Sequence, residues 1–147
     1  MTIWDPELRT SSIARAARLT ETTVPAWGSL SASGMMAHVN DSIRMALGEL
    51  PVKPKRMLFR HPPLKQLIVY ALPFPKGVPT APELLARCAT AVLADERRSY
   101  GELLGRLAAL TPGFALADHP AFGRLTRRAF GVLIARHTDH HFRQFGL

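Results

Sequence analysis

The sequence predicts an all-α protein: a four-helix bundle with up-down-down-up connectivity, formed by residues 1–147 as a single domain. Three observations predict it. Capping and stop signals enclose four stretches whose apolar residues recur at helical spacing. No stretch alternates apolar and polar residues as a strand does. The one long, proline-rich connection lies between the second and third predicted helices, where it can act as a crossover.

The first two helices are short and are bounded by clear signals. A capping residue followed by Pro6 predicts a helix over residues 5–20. Either Ser31 or Ser33 is expected to cap the second helix, which runs to about Glu49 with an apolar stripe facing the core.

The connection over residues 51–79 differs in composition from the rest of the chain. It holds seven of the twelve prolines and six Lys or Arg residues, including Lys53, Lys55, Arg56 and Lys76, and it has no acidic residue. Apart from two helical turns predicted within residues 64–72, it cannot be regular. Connections of this length are uncommon inside compact domains and usually have a purpose. We expect either a solvated loop or a basic lid that attracts anions.

The last two helices complete the bundle. A capping box formed by Thr80 and Glu83 predicts that the third helix begins there and runs to Leu110. Thr126 is expected to cap the fourth, which runs to Phe145.

The fourth helix carries the strongest chemical signal. His137 and His141 are one turn apart and face the same way, which is how a helix offers two imidazoles to one metal ion. His140, three residues after His137, is the alternative to His141. A third ligand must come from elsewhere, and His38, beside the apolar stripe of the second helix, is the candidate. The competing interpretation is a purely structural histidine cluster.

The height of each histidine in the bundle supports this choice. His38 lies ~10 Å from the start of its helix, and the pair lies ~9 Å from the end of the fourth. The three meet at one level only if these two helices run antiparallel. The long crossover produces that arrangement, because it makes the third helix parallel to the second.

Three neutral imidazoles leave a tetrahedral ion one open position for water or substrate. Zn²⁺ and Ni²⁺ are the ions we expect, although imidazole also suits Fe²⁺ and Cu²⁺. Ligand histidines need acceptors for their second ring nitrogen. Asp41, three residues from His38, and Gln144, three residues from His141, are within reach on their helices. For Asp41 a solvated surface acid is the competing interpretation.

The composition limits the partners. The formal net charge of +8 favours a small anionic substrate. Cys88 is the only cysteine, and no stretch has the length of a membrane span or the pattern of a signal peptide, so we expect a cytoplasmic protein without membrane contact. Aromatic residues make up 7% of the chain and most of them lie at core spacing, whereas a nucleic-acid surface would need exposed aromatics among its Lys and Arg residues. His61 and His119 each precede a proline and are expected to be solvated.

Several motifs together resemble a known superfamily. They are Ala37-His38-Val39-Asn40, His137-Thr138-Asp139-His140-His141 and the closing Gln144-Phe145-Gly146. With them, nearly the whole chain resembles the DinB/YfiT-like superfamily, and within it the uncharacterised DUF-1569 branch. The resemblance implies an up-down-down-up bundle with a three-histidine metal site. In characterised members of the superfamily such a site serves thiol-dependent transfer, isomerisation or hydrolysis.

Two classes of function follow. The first is a metal-dependent thiol transferase, isomerase or hydrolase that acts on a small anionic substrate with a thiol cofactor, in a chain that can form a homodimer. The alternative is a non-catalytic helical-bundle protein that uses its basic surface to bind an anionic partner.

Overall fold

A computed structural model describes residues 1–55, 57–74 and 80–147. This part of the chain is all-helical, as predicted, and has no β-strand. Its five α-helices are α1 (Pro6–Ala17), α2 (Ala32–Ala46), α3 (Leu64–Tyr70), α4 (Leu93–Ala109) and α5 (Arg127–Gln144). None of these helices combines the length and apolar character that crossing a bilayer would require.

The two helices that carry the histidines begin at side-chain caps. Ser31 caps α2, because its Oγ accepts a hydrogen bond of 3.0 Å from the backbone nitrogen of Gly34. Thr126 caps α5 through a bond of 3.1 Å from the nitrogen of Ala129. Each cap satisfies a backbone donor that the first helical turn leaves without a partner. After α5, Gly146 turns the chain with a φ of 73°.

The predicted start of the third long helix at Thr80 is wrong. Helix α4 begins at Leu93, and Pro82–Leu84 forms a single turn of 3₁₀ helix followed by further turns. Glu83, the expected capping residue, accepts a hydrogen bond of 3.2 Å from the backbone nitrogen of Lys53 in the crossover instead. The local capping signal is therefore overridden by a contact with a distant part of the chain.

An ion pair explains why residues 80–92 leave the helix. Arg87 Nη1 lies 2.8 Å from Glu96 Oε1. In a continuous helix these two residues would be nine positions apart, on nearly opposite faces and roughly 13 Å apart along the axis. Arg87 also binds Asp41 on α2. The chain has to turn between residues 87 and 96 to make both contacts.

The crossover contains the predicted helical turns, which form α3. Arg136 of α5 donates hydrogen bonds to the carbonyl oxygens of Ile68 and Val69 at the end of α3. Val69 is 1% exposed and packs against Leu133 of α5. The crossover is thus fastened to α5. Two parts of the basic segment lie outside the described residues: Arg56, and residues 75–79, which include Lys76.

Contacts between the long helices fix their relative directions. On α2, Asn40 bonds Glu96 of α4, and Arg44, one turn later, bonds Ser99. The second contact lies further towards the C-terminus than the first on both helices, so α2 and α4 run in the same direction.

Helices α2 and α5 run in opposite directions. Gln144 at the end of α5 donates to the carbonyl of Trp27, which precedes α2. At the other end, the carbonyl of Ala46 accepts from Ala117, which precedes α5. This is the relative direction that the heights of the histidines require.

Helix α1 packs against α4, and an ion pair between Arg15 and Asp139 joins it to α5. Ser12 and Tyr100 share a short hydrogen bond in the core, while Arg97, earlier on α4, bonds the carbonyl of Leu19, later in the chain than α1. Helices α1 and α4 are therefore antiparallel. Apolar residues from α1, α2, α4 and α5 join in one main core.

His119 is not solvated, contrary to the expectation from its neighbouring proline. Its Nδ1 accepts hydrogen bonds of 3.1 and 3.3 Å from the backbone nitrogens of Ala121 and Phe122. Its ring also lies against Phe130. Burial, and to a smaller extent the charge of Lys65, lowers the pKa of His119 to about 4. Protonation would remove the acceptor that holds this turn.

We therefore expect acid to destabilise the metal-free protein through His119. Its pKa is lower in the folded than in the unfolded chain, so its contribution is complete above ~6.5 and is lost as the pH falls towards 4. The free energy of unfolding should fall by up to about 1 kcal/mol per pH unit from this residue. His119→Asn keeps an acceptor but does not titrate, so it should flatten the dependence in urea titrations from pH 7 to pH 4.5.

His61→Asn is the matched control, because His61 is exposed. It should leave the pH dependence unchanged. An equal slope in wild type and His119→Asn would contradict the role assigned to His119.

Candidate metal centre

The i, i+4 pair on α5 points towards α2, as its spacing predicts. The Nε2 atoms of His137 and His141 lie 3.1 Å apart. Both side chains are partly buried, and Thr138 between them turns into the core. One turn of α5 thus brings the Nε2 atoms of two imidazoles next to each other.

His38 of α2 completes the cluster. It is 4% exposed, and its Nε2 lies 3.1 Å from Nε2 of His137, although the two residues are 99 positions apart in the chain. One nitrogen from each of the three histidines lies within 4.8 Å of the others, which is close enough to hold one metal ion. No other group of metal-ligating side chains with this proximity occurs in the described residues.

Hydrogen bonds to the opposite ring nitrogens identify the protonated atom in two of the rings. The Nδ1 of His38 faces the carbonyl oxygen of Leu84 at 3.2 Å. The Nδ1 of His141 faces Oε1 of Gln144 at 2.9 Å, and Gln144 is oriented because its Nε2 donates to Trp27 O at 2.6 Å. Since both partners are acceptors, both Nδ1 atoms carry the hydrogen and both Nε2 atoms present a lone pair.

These lone pairs converge on His137. Its Nε2 lies 3.1 Å from Nε2 of both His38 and His141. A single hydrogen on His137 can satisfy only one of the two acceptors. Two nitrogens held at ~2.05 Å in a tetrahedral zinc site are about 3.3 Å apart, close to both distances. The donor set and its spacing therefore fit a divalent cation bound through three Nε2 atoms.

The electrostatics keep the rings neutral, as metal ligands must be. Burial, and to a smaller extent the neighbouring His38, lowers the pKa of His141 to about 4. Burial also holds the pKa of His137 well below its ordinary value, with His141 and His38 adding to the effect. The pKa of His38 is lowered by burial, an effect that the carbonyl of Leu84 and the charge of Asp41 partly offset.

The two predicted orienting residues have different outcomes. Gln144 lies where the sequence predicts, bonded to His141. Asp41 does not accept from His38. Its carboxylate binds Arg44 at 2.9 Å and Arg87 at 2.9 Å, and it is 3% exposed rather than a solvated acid. The three-residue spacing directs Asp41 towards Arg87, in the segment that precedes α4, and not towards the Nδ1 atom that it was expected to hold.

The partner of His38 differs from the one that the sequence predicts. It is a backbone carbonyl, that of Leu84, which no side-chain pattern reveals. The segment was also predicted as helix, in which this oxygen would accept from within the helix.

His140 is not one of the three clustered histidines, although its ring lies 5.2 Å from that of His141. Its ring lies 5.9 Å from that of Trp27 and 6.0 Å from that of Phe74, measured between centroids. Phe74 also touches His137 edge-on at 6.3 Å. These aromatic side chains form the boundary between the histidine cluster and a neighbouring cavity.

That cavity has a volume of about 920 Å³ and lies between α1 and α5. Its lining includes Trp27, Phe74 and His140 as well as the cationic side chains of Arg15 and Arg143. The lining also contains Glu7 and Asp139, and Asp139 forms ion pairs with both of these arginines. The cavity therefore offers space for a small molecule beside the cluster, with only a small excess of positive charge.

A close backbone approach supports Gln144. A Cβ added at Gly28 would lie 2.7 Å from Nε2 of Gln144, and Gly28 has a φ of 79°. We expect Gly28→Ala to strain the turn and displace the amide that orients His141, costing about 1–2 kcal/mol in the free energy of unfolding. Chemical denaturation of the wild type and of Gly28→Ala measures this difference in the free energy of unfolding.

Gly101→Ala is the control, because a Cβ at this position of α4 meets nothing within 4 Å. It should stabilise the protein slightly, since alanine favours helix by about 1 kcal/mol over glycine. Equal unfolding midpoints for Gly28→Ala and wild type would show that the contact with Gln144 is not tight.

Comparison with known proteins gave a single kind of match. A family model described as "Protein of unknown function (DUF1569)" matches residues 7–146. The matched span contains His38, His137 and His141. No curated protein and no solved structure matched the chain.

Proposed function

We propose, from the premise that the chain belongs to the DUF1569 family of proteins of unknown function, that it binds one divalent metal ion through His38, His137 and His141. One observation carries the proposal: the Nε2 lone pairs of His38 and His141 both face Nε2 of His137 at 3.1 Å, and one hydrogen cannot serve both. A shared cation satisfies all three atoms.

The donor set also limits the ion. Three imidazoles suit Zn²⁺ and Ni²⁺, the ions expected from the sequence, and leave a tetrahedral ion one position for water or substrate. A bound Zn²⁺ would supply Lewis acidity and lower the pKa of coordinated water towards ~7. The protein contributes neutral imidazoles, fixed by Leu84 and Gln144.

The helix directions support a wider assignment. We place the chain in the DinB/YfiT-like superfamily as a single domain, with α1, α2, α4 and α5 as an up-down-down-up bundle and α3 within its crossover. Parallel α2 and α4, with α5 antiparallel to α2, agree with this assignment. It rests on those directions and on the motifs around the histidines.

The activity that we propose is metal-dependent transfer, isomerisation or hydrolysis of a small anionic substrate, with a thiol as the candidate co-substrate. The cavity beside the cluster supports it, because its lining has three arginines, Arg15, Arg136 and Arg143, against two acids, Glu7 and Asp139, and so keeps a small excess of positive charge beside aromatic side chains. The net charge of +8 favours an anion as well.

The ligand assignment is tested by metal binding. Metal-free protein titrated with Zn²⁺ in a calorimeter should bind one equivalent. His38→Ala should lose most of that binding, because two histidines remain and the most buried ligand is gone. Far-UV circular dichroism should change little, because the core is formed by other residues.

His140→Ala is the matched control, since it removes the neighbouring imidazole without removing a ligand. It should bind one equivalent, and His141→Ala should not. Full binding by His38→Ala, or loss in His140→Ala with none in His141→Ala, would show that the ligands are wrongly assigned.

The pH dependence of binding follows from the lowered pKa values. Protons compete with metal only where the metal-free imidazoles titrate, and for His141 that is about pH 4 rather than the ~6.5 of free histidine. Zn²⁺ affinity should thus change little between pH 7 and 6 and fall steeply only as the pH drops below about 4. A marked loss already at pH 6.5 would contradict the burial of the site.

A further inference from the structure

Arg87 joins three parts of the chain. It lies in the segment between the 3₁₀ turn and α4. Its Nη2 lies 2.9 Å from Asp41 on α2, and its Nη1 lies 2.8 Å from Glu96 on α4. Its Nε also donates to both oxygens of Asp41 at 3.2 Å. The planar fork of a guanidinium suits this double contact, which a lysine ammonium cannot reproduce.

The two carboxylates make the position of Arg87 energetically important. Asp41 is 3% exposed and Glu96 is 5% exposed. A buried carboxylate without a cationic partner is strongly destabilising. Asn40 on α2 donates to Glu96, and Arg44 on the same helix donates to Asp41, but among the described residues only Arg87 contacts both acids. The guanidinium is thereby held at one place.

The segment around Leu84 is held at a second point by apolar packing. The side chain of Leu84 is 9% exposed and clusters with Met45 and Ala81. Tight turns connect it to Arg87, because Leu85 bonds back to Pro82 and Cys88 to Leu85. Only two residues therefore separate Leu84 and its carbonyl from Arg87 and its ion pairs.

That carbonyl is the acceptor that faces Nδ1 of His38 at 3.2 Å. We infer that Arg87 is a positioning residue of the metal centre: by binding Asp41 and Glu96 it holds the Leu84 carbonyl where it fixes the tautomer and ring orientation of His38. The inference rests on the proposed function, because it concerns how tightly the same three histidines bind a metal ion.

The size of the effect follows from what the acceptor does. When Leu84 O is displaced, the ring of His38 loses the bond that keeps hydrogen on Nδ1 and the lone pair on Nε2. Removing such a partner of a metal-bound histidine typically lowers metal affinity by about 10- to 100-fold. The ligands themselves stay in place.

The experiment compares Arg87→Gln with Arg44→Gln. Both remove a cation from Asp41, but Arg44 lies on α2 and does not hold the segment of Leu84. Zn²⁺ titrations at pH 7 should give about 10-fold weaker binding or worse for Arg87→Gln, still at one equivalent, and nearly wild-type affinity for Arg44→Gln. Equal loss in both variants would overturn the inference, since general destabilisation would then explain it.

A nuclear magnetic resonance measurement separates positioning from stability. In zinc-loaded wild type and Arg44→Gln, the Nδ1 hydrogen of His38 should give a slowly exchanging signal. In zinc-saturated Arg87→Gln that signal should broaden or be lost, while that of His141, held by Gln144, remains. Retention of the His38 signal and of affinity in Arg87→Gln would refute the inference.

Failure of the proposed function gives a different result, namely no stoichiometric binding by wild type. If Arg87→Gln does not fold, Arg87→Lys serves instead, because it keeps the charge but loses the fork. It should bind zinc more weakly than Arg44→Gln while remaining folded. Affinity equal to that of wild type would refute the role of Arg87.

Discussion

The arrangement of the candidate site depends on two hydrogen bonds on the far sides of its rings. The carbonyl of Leu84 and the amide of Gln144 keep hydrogen on the Nδ1 atoms of His38 and His141. Without these bonds, each ring could place its hydrogen towards His137, and the cluster would be an ordinary hydrogen-bonded group. With them, the lone pairs of His38 and His141 both face His137, whose single hydrogen can satisfy only one of them, so a cation bound between the three nitrogens would be favourable.

The need for an acceptor at Nδ1 of His38 is also met by an irregular part of the fold. Residues 80–92 have the composition of a helix, yet they fold back over α2. The turn satisfies Asp41 and Glu96 through Arg87 and brings the Leu84 carbonyl to His38. A regular helix would have used that carbonyl internally. The ion pairs that Arg87 forms with the buried Asp41 and Glu96 thus offset the loss of helical hydrogen bonds.

Local signals in the sequence were sufficient for some features and insufficient for others. The caps at Ser31 and Thr126 and the His137–His141 spacing depend on residues within one turn, so they could be predicted. The start of α4 and the partner of Asp41 depend on Arg87, which is 46 positions from Asp41. His119 was misjudged for the same reason, because the turn that buries it involves backbone groups that no side-chain pattern encodes.

The separation of His38 and His137 along the chain has a thermodynamic consequence. A cation shared by residues 99 positions apart would close a long loop of the polypeptide, as a cross-link does. Ions that bind only the folded chain stabilise it by RT ln(1 + [M]/Kd), about 2.7 kcal/mol at one hundred times Kd. The free energy of unfolding would then depend on the concentration of free metal. A chelator that removes the ion would lower it by weakening the contact between α2 and α5.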